Sequence, residues 1–318
     1  MRIIMMGTGP FAVPTLLSLM DSSHEVVVLV TRPLPAVRTR GKLPKNPTRE
    51  AGAEAGLEIL SPQDVNDAAV GTQLATLRPD LLVVCDYGQI LSADALSVAR
   101  LGGINLHGSL LPKYRGAAPV QWAILNGETE TGTSVIHMTP RLDAGPCLVQ
   151  NRTAIGPSET AEELEERLAT LGVDSVRTAI EMLEKWNGAA SIGTPQDPDL
   201  ATRAPRLKKS DGQVDWTRPA IALHNQVRGL KPWPGSFTHW RRGDGKELRL
   251  ILDRVAAAPN ESGGESPGTV TSCSADHLIV ATGEGSLAIE SIQPAGKRPM
   301  RVGEFLRGHD VVSGSRFS

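Results

Sequence analysis

Short apolar runs alternate with helix-like segments through residues 1–200, and that alternation constrains the fold more than any other feature of the chain. The runs are Arg2–Met6, Glu25–Thr31, Leu81–Cys85, Gly103–His107 and Thr133–Met138. Glu25–Thr31 reads EVVVLVT, a β-branched stretch without polar alternation, which is the pattern of a strand covered on both faces. Helical periodicity falls between the runs, near Pro10–Met20, Ala68–Leu77, Ala93–Arg100 and Pro119–Leu125. Strands separated by helices predict an α/β domain with a doubly wound, mostly parallel, Rossmann-like sheet. Glu159–Trp186 is the longest expected helix. Ser158 suits its N-cap, and Glu162, Glu163, Glu165 and Glu166 crowd its first turns, where the helix dipole favours negative charge.

The pattern then changes. Residues 189–206 are rich in Gly, Ala, Pro and Asp and read as a linker. Beyond it, Leu248–Val255, Gly268–Ser272, His277–Ala281 and Ser286–Ile292 are short β-like runs punctuated by Gly, Pro and Asn. They predict a small antiparallel β-barrel of the OB-like kind. A chain of 318 residues is long enough for two such cores. The expected division is 1–188 for the first domain, 189–206 for the linker and 207–318 for the second domain.

Cys85, Cys147 and Cys273 lie far apart, which argues against a disulfide framework or a zinc knuckle. The histidines show no ligand spacing, so no metal is expected. No apolar stretch has membrane-spanning length, and Arg2–Met6 is too short for the core of a signal peptide. The expectation is a cytoplasmic monomer with no membrane partner. Net charge is −2 overall, but residues 1–200 carry 16 Lys/Arg against 23 Asp/Glu, and residues 201–318 carry 17 against 12. The C-terminal part is therefore basic, as a domain that meets a polyanion would be.

Two motifs carry chemistry. Gly7-Thr8-Gly9-Pro10-Phe11-Ala12 follows a strand and opens a helix. It fits G-x-G-x-x-A, the dinucleotide turn. That reading requires an acid at the end of the second strand, where Thr31 and Arg32 stand instead. A tight strand-to-helix turn is the simpler reading, and a nicotinamide dehydrogenase remains as an alternative. The second motif is Asn105-Leu106-His107-Gly108-Ser109-Leu110-Leu111-Pro112, continuing to Gly116-Ala117-Ala118-Pro119. Period-two alternation puts Asn105 and His107 on one face at a strand end. An amide and an imidazole aimed together suit a reaction that gathers negative charge on oxygen. Asp143, in Arg141-Leu142-Asp143-Ala144-Gly145, follows the strand Thr133–Met138. It is expected on the same rim, where its carboxylate would favour an imidazolium at His107.

Asn-x-His-Gly-Ser-Leu-Leu-Pro with a downstream Asp-x-Gly resembles the signature of the folate-dependent formyltransferases. The resemblance implies that Asn105, His107 and Asp143 are catalytic. It implies that Ser109, Leu110, Leu111 and Pro112 line the folate site, together with Tyr87 and Gly88 in the stretch Val84–Leu91. The implied formyl donor is 10-formyltetrahydrofolate, used as a substrate. The motif does not itself choose the acceptor. Val214-Asp215-Trp216, Arg228–Pro234 and Ile292–Lys297 resemble the second domain of the branch of the family that acts on charged initiator tRNA. The loop Thr31–Arg49 carries Arg32, Arg38, Arg40, Lys42, Lys45 and Arg49 and no acid. In that branch such a loop reaches the tRNA acceptor end, which would place Arg40 and Lys42 on the RNA, joined at the linker exit by Lys208 and Lys209. The expected acceptor is methionyl initiator tRNA. The alternatives are a formyltransferase for a sugar nucleotide or other small amine, which has no need of the basic loop, and a catalytically silent RNA-binding protein. The chain departs from the family wording at two points. Gly9-Pro10 stand where proline and an acid are usual, and Asp86 stands where a small residue is usual.

Overall fold

The computed structural model describes residues 1–34, 45–188, 190–243, 245–258 and 264–318. The chain forms two compact units. One comprises Met1–Pro119, Glu130–Ala154 and Glu163–Pro205, and the other Val120–Thr129, Ile155–Glu162 and Arg206–Ser318.

The first unit is built on a seven-stranded sheet. Its strands are β1 (Arg2–Gly7), β2 (Glu25–Val30), β3 (Ile59–Leu60), β4 (Leu81–Cys85), β5 (Gly103–His107), β7 (Glu130–His137) and β8 (Cys147–Ala154), in the order β3-β2-β1-β4-β5-β7-β8. The five strands β1 to β5 run parallel. β7 and β8 are antiparallel additions. A further short strand, β6 (Arg115–Gly116), pairs outside this sheet with β9 (Arg203–Ala204). Helices α1 (Val13–Met20), α2 (Pro47–Glu54), α3 (Ala68–Thr76) and α4 (Ala93–Ser97) connect the parallel strands. Side chains of Asn46, Asp67 and Ser92 cap α2, α3 and α4 by accepting backbone N–H groups, which satisfies donors that a helix start leaves open. Ile4, Met6, Val28, Val30, Leu82 and Val84 form one buried cluster with Leu74 and Leu96 of the helices. Each such side chain is worth roughly 1.5–3 kcal/mol of burial.

α5 (Pro119–Leu125) has the expected bounds. α6 runs from Ala161 to Glu184, two residues shorter at each end than its periodicity suggested. Helix ends fray by about that much. It approaches β5 closely at Gly172, where an added Cβ would run into Leu106. Ser175 of α6 is fully buried and accepts a hydrogen bond from Asn151 of β8 at 2.7 Å. The short strands β3, β6 and β9 were not expected from sequence, and neither were two longer elements, α2 and β8. α2 begins inside the stretch read as a loop, because Pro47 sits at its start, where the missing N–H costs nothing. β8 opens on Cys147-Leu148-Val149 and is polar from Gln150 to Thr153, alternating only between half-buried and exposed positions, so it offers too short an apolar run to mark it as a strand.

The second unit holds an antiparallel sheet in the order β10-β11-β14-β13-β12, with β15 paired to β14. The strands are β10 (Ser236–Arg241), β11 (Glu247–Ala258), β12 (Val270–Ser274), β13 (His277–Ala281), β14 (Ser286–Pro294) and β15 (Met300–Arg301). The C-terminal tail closes the ring between the two edges. Val270 donates to Ser315 O at 2.8 Å, and His239 and Ser318 exchange backbone hydrogen bonds at 2.8 and 2.9 Å. Trp216, Trp240, Phe305 and Phe317 fill the interior. α7 (Ala220–Gly229) and α8 (Val302–Arg307) complete the unit. α7 escaped the sequence reading because Asn225, Gln226 and Arg228 lie on its buried side. Arg228 is held there by carbonyl oxygens of Gly156 and Glu159 at 3.1 and 3.0 Å.

Candidate active site

β5 presents Asn105 and His107 on the same face, two residues apart at its carboxyl end. Its neighbours set their height: Cys85 of β4 lies opposite Leu106, and Ser134 of β7 opposite His107. His107 is 5% exposed. Its Nε2 lies 2.8 Å from the carbonyl oxygen of Tyr114, which can only accept, so Nε2 carries a proton. Nδ1 is left facing Asp143 Oδ2 at 3.8 Å. The Asn105 amide donates to Asp143 Oδ1 at 3.4 Å. Both distances are long, as is common before a substrate tightens such a site.

Asp143 arrives by a different route from the one its sequence position suggested. β7 runs antiparallel to β5, so its end, His137, pairs with Ile104 at the start of β5. The loop after His137 turns back to bring Asp143 to Asn105 and His107. The turn requires a left-handed backbone at Asp143, with φ 48°, a conformation that costs a non-glycine residue energy. Several partners hold it. The Gly116 N–H donates to Asp143 Oδ2 at 2.8 Å. The Gln196 amide donates to the carbonyls of Asp143 and Gly145 at 2.8 and 2.7 Å. Arg115 in turn donates to Gln196 Oε1 at 3.1 and 2.7 Å through Nε and Nη2.

Gln196 is the residue that sequence reasoning missed. It lies in the stretch read as a linker, whose composition gives no sign of the work it does. Thr194 exchanges backbone hydrogen bonds with Cys147, both at 2.8 Å, Thr202 Oγ1 accepts from Tyr114 N at 2.8 Å, and Arg203–Ala204 pair with Arg115–Gly116. Residues 194–204 thus stitch the segment after β5 to the Asp143 loop.

The turn Ser109–Pro112 is built from within. Ser109 is fully buried, and its hydroxyl donates to Lys113 O at 2.7 Å. Ser134 Oγ donates to Ser109 O at 2.7 Å and accepts from Leu111 N at 3.0 Å. Gln150 donates to Leu111 O at 2.8 Å. Leu110 and Pro112 are half-buried and Leu111 is buried, which leaves apolar surface at this edge. On the neighbouring strand end Tyr87 is 2% exposed, and burial pushes its phenol up to about 12. Gly88, with φ 83°, is exposed against the Arg32 side chain.

The first glycine motif is a tight turn. A Cβ on Gly7 would strike Ala12, so that glycine serves strand–helix packing. Thr31, at the end of the second strand, is buried and accepts from Asn46 Nδ2 at 2.6 Å. The two departures from the family wording touch each other. The Asp86 carboxylate lies against Gly9, and a Cβ at Gly9 would overlap it. Asp86 has φ 45°. Burial lifts its carboxyl to about 6, offset in part by a hydrogen bond from the Gly9 backbone. Its outer surface is nevertheless exposed. It is crowded by Gly9 on one side and faces solvent on the other.

Arg40 and Lys42 lie outside the described residues. Lys208 and Lys209 are exposed in the second unit, where the Asp211 carboxylate accepts from the Lys208 N–H at 2.7 Å. Among the described residues no group of three His, Cys, Asp or Glu could hold a metal ion, and no helix is long and apolar enough to cross a membrane.

Comparison with known proteins gives a consistent set of relatives. Residues 1–180 match the model of the formyl transferase family, and residues 206–310 match that of the formyl transferase C-terminal domain. The chain is 46% identical to the methionyl-tRNA formyltransferase of Rhodopirellula baltica, over 99% of this chain and 96% of that protein. It is 40% identical to the methionyl-tRNA formyltransferase of Geobacter sulfurreducens, over 99% and 96%. Among solved structures it resembles the sugar 3N-formyl transferase WlaRD, described in the presence of dTDP and 5-N-formyl-THF, with TM-score 0.64, 15% identity, and coverage of 94% of this chain and 99% of that one. It also resembles HypX from Aquifex aeolicus in complex with tetrahydrofolic acid, with TM-score 0.62 and 18% identity, over 100% of this chain and 51% of that one. At these identities the structural likeness speaks for the fold alone.

Proposed function

The chain belongs to the formyl transferase family in both its N-terminal and C-terminal parts, and on that premise we propose that it moves a formyl group from 10-formyltetrahydrofolate to the α-amino group of methionine esterified to initiator tRNA. The observation that carries the chemistry is the convergence of Asn105, His107 and Asp143, with contacts of 3.4 and 3.8 Å. Full-length relatives at 38–46% identity bear the name of this activity, which favours methionyl-tRNA over the sugar nucleotides of the structural neighbours.

The donor set fits a formyl group on a folate. The apolar edge at Leu110–Pro112 offers a surface for a flat ring, and the Asn105 amide offers a donor beside it. As the neutral α-amine adds to the formyl carbon, Asn105 donates to the oxygen that gathers negative charge. His107, with Nε2–H fixed on Tyr114 O, keeps Nδ1 turned to the same point. Charged, it adds a second and stronger donor. Asp143 orients His107 and takes the proton that the amine releases. N10 of the departing folate takes one up, so no net proton is lost. We assign Arg40, Lys42, Lys208 and Lys209 to tRNA phosphates, and Tyr87, Gly88 and Ser109–Pro112 to the folate side. The protein acts as a cytoplasmic monomer on this reading.

The test supplies 10-formyltetrahydrofolate with methionyl initiator tRNA, or with a dTDP-amino sugar, and follows formylated product. Formyl-methionine on the tRNA is expected. Formylation of the sugar nucleotide alone would overturn the assignment of the acceptor. The RNA contacts have their own measurement. Replacing Arg40 and Lys42 by alanine should weaken tRNA binding and lower its salt slope by about 2, since fewer counterions are released.

A further inference from the structure

The strand order β3-β2-β1-β4-β5-β7-β8 reverses direction between β1 and β4. At such a switch point the two flanking loops part, and a crevice opens at the carboxyl ends of the strands. Thr8–Gly9 follow β1 on one side of this point and Asp86 follows β4 on the other, in contact with each other. Thr8 N–H donates to Asp86 O at 3.1 Å, and Thr8 Oγ1 donates to Tyr87 O at 3.0 Å. The two loops are thus tied together. Asp86 takes its left-handed backbone to turn its carboxylate over Gly9. Gly9 itself has an ordinary extended backbone, φ −85° and ψ 177°. Glycine is needed there for room beside the carboxylate and not for conformation.

Resting on the tRNA reading, we propose that Asp86 positions the acceptor by accepting a hydrogen bond from the free 2′-hydroxyl of the terminal ribose, next to the methionyl ester. Nucleotide-binding crevices of this topology hold ribose hydroxyls on an acid at the end of the second strand. Here that position is Thr31, whose hydroxyl is taken by Asn46, and Arg32. The only carboxylate among the described residues at the switch point is that of Asp86. It has no Lys, Arg or His in ion-pair contact among them, its partner being the Gly9 backbone. One side of the carboxylate is crowded by Gly9 while its outer surface is exposed, so it keeps acceptor capacity that a ligand hydroxyl can reach. Its direction also selects the ribose over the reacting amine. Asp86 follows Cys85, which pairs with Gly7 on one side and Leu106 on the other, and the carboxylate turns to the Gly7 side, away from His107. Neighbouring strands are about 4.8 Å apart, so a carboxylate on the β1 side of β4 lies more than one strand spacing from the reacting amine over β5, on the side where a ribose several bonds away from that amine would lie.

The experiment measures steady-state kinetics with two acceptors. One is methionyl-tRNA ending in adenosine. The other ends in 2′-deoxyadenosine with the ester on O3′. Wild type and Asp86→Ala are compared, with Asp86→Asn as a second variant should the alanine protein fold poorly. Loss of a hydrogen bond to a charged group should raise KM for the tRNA about tenfold in Asp86→Ala, with kcat and the KM for folate nearly unchanged. The deoxy acceptor should raise the wild-type KM similarly, and it should add nothing further in the variant, because both changes delete one contact. The comparison of acceptors on wild type does not depend on the folding of any variant. A wild type indifferent to the 2′-hydroxyl, or effects that multiply, would overturn the role of Asp86 alone. A wild type that formylates neither acceptor would overturn the tRNA reading and this role with it.

Discussion

Asp143 and Asp86 both follow strands of the same sheet, and both hold a left-handed backbone, at φ 48° and 45°. Their surroundings differ at every other point. The Asp143 carboxylate receives Gly116 N–H at 2.8 Å and the Asn105 amide at 3.4 Å, with His107 Nδ1 at 3.8 Å, and Gln196 holds its main chain. The Asp86 carboxylate has the Gly9 backbone, and burial raises it to about 6. Strained backbone persists where the surroundings over-determine it. At Asp143 the protein supplies the partners, as expected of a group held ready for chemistry. At Asp86 it supplies the strain and one backbone partner and leaves the rest of the carboxylate open to solvent, where a ligand can reach it.

The largest effect should come from the braced cluster. Asn105→Ala removes the amide donor beside His107 and Asp143 and should lower kcat by about 100-fold or more, in line with other oxyanion donors. The purified variant should keep its thermal transition, because Asn105 is half-buried and its amide makes one long hydrogen bond. Turnover within a few-fold of wild type would mean that the cluster is structural and that the contrast with Asp86 says nothing of catalysis.

A smaller effect should follow from loosening the brace without touching the cluster. Gln196→Ala deletes hydrogen bonds to Asp143 O and Gly145 O and frees Arg115. Misplacement of a catalytic group by about 1 Å can cost 100-fold, so a partial loosening should cost about tenfold in kcat. Gln196→Glu, which keeps an acceptor for Arg115 and loses the donor, should resemble the alanine variant. Full activity of either variant would show that the left-handed turn at Asp143 stands without Gln196.

What the sequence made legible follows this same division. Four of the five parallel strands were readable from short, largely apolar runs, and Leu81–Cys85 and Gly103–His107 have the bounds their pattern suggested, whereas Ile59–Leu60 is too short to show a pattern. Asn105 and His107 were readable because alternation on a strand decides which residues share a face. The path of Asp143 was not, because strand direction is a property of pairing: β7 looks like another parallel strand until its partner is known. Gln196 was invisible for a similar reason. A lone glutamine in a Gly- and Pro-rich stretch has no periodicity to betray it, and its value lies in two carbonyls some fifty positions away in sequence. The Gly9–Asp86 contact was present in the sequence as two separate oddities, which only the β1–β4 pairing joins.

The smallest expected effect bears on Asp86 through stability. Its carboxyl ionises at about 6 in the folded chain against an ordinary 3.8. Between those values the folded protein keeps a proton that the unfolded chain has released, so stability falls as pH rises through that window. Above the window the cost of the charge is fully present, and below it the cost vanishes. Asp86→Asn removes the charge while keeping a side-chain oxygen for the Gly9 N–H. The variant should therefore melt higher than wild type at pH 7.5 and at the same temperature near pH 4. Because the outer surface of Asp86 is exposed, solvent screens much of the cost, and a gain of about 2 °C is the expected size for a domain of this length. Thermal melts of both proteins at the two pH values decide the matter. A lower melting temperature for Asp86→Asn at pH 7.5 would mean that the folded protein already stabilises the charge. Asp86 would then be a second braced aspartate like Asp143, with no call for a ligand to complete it.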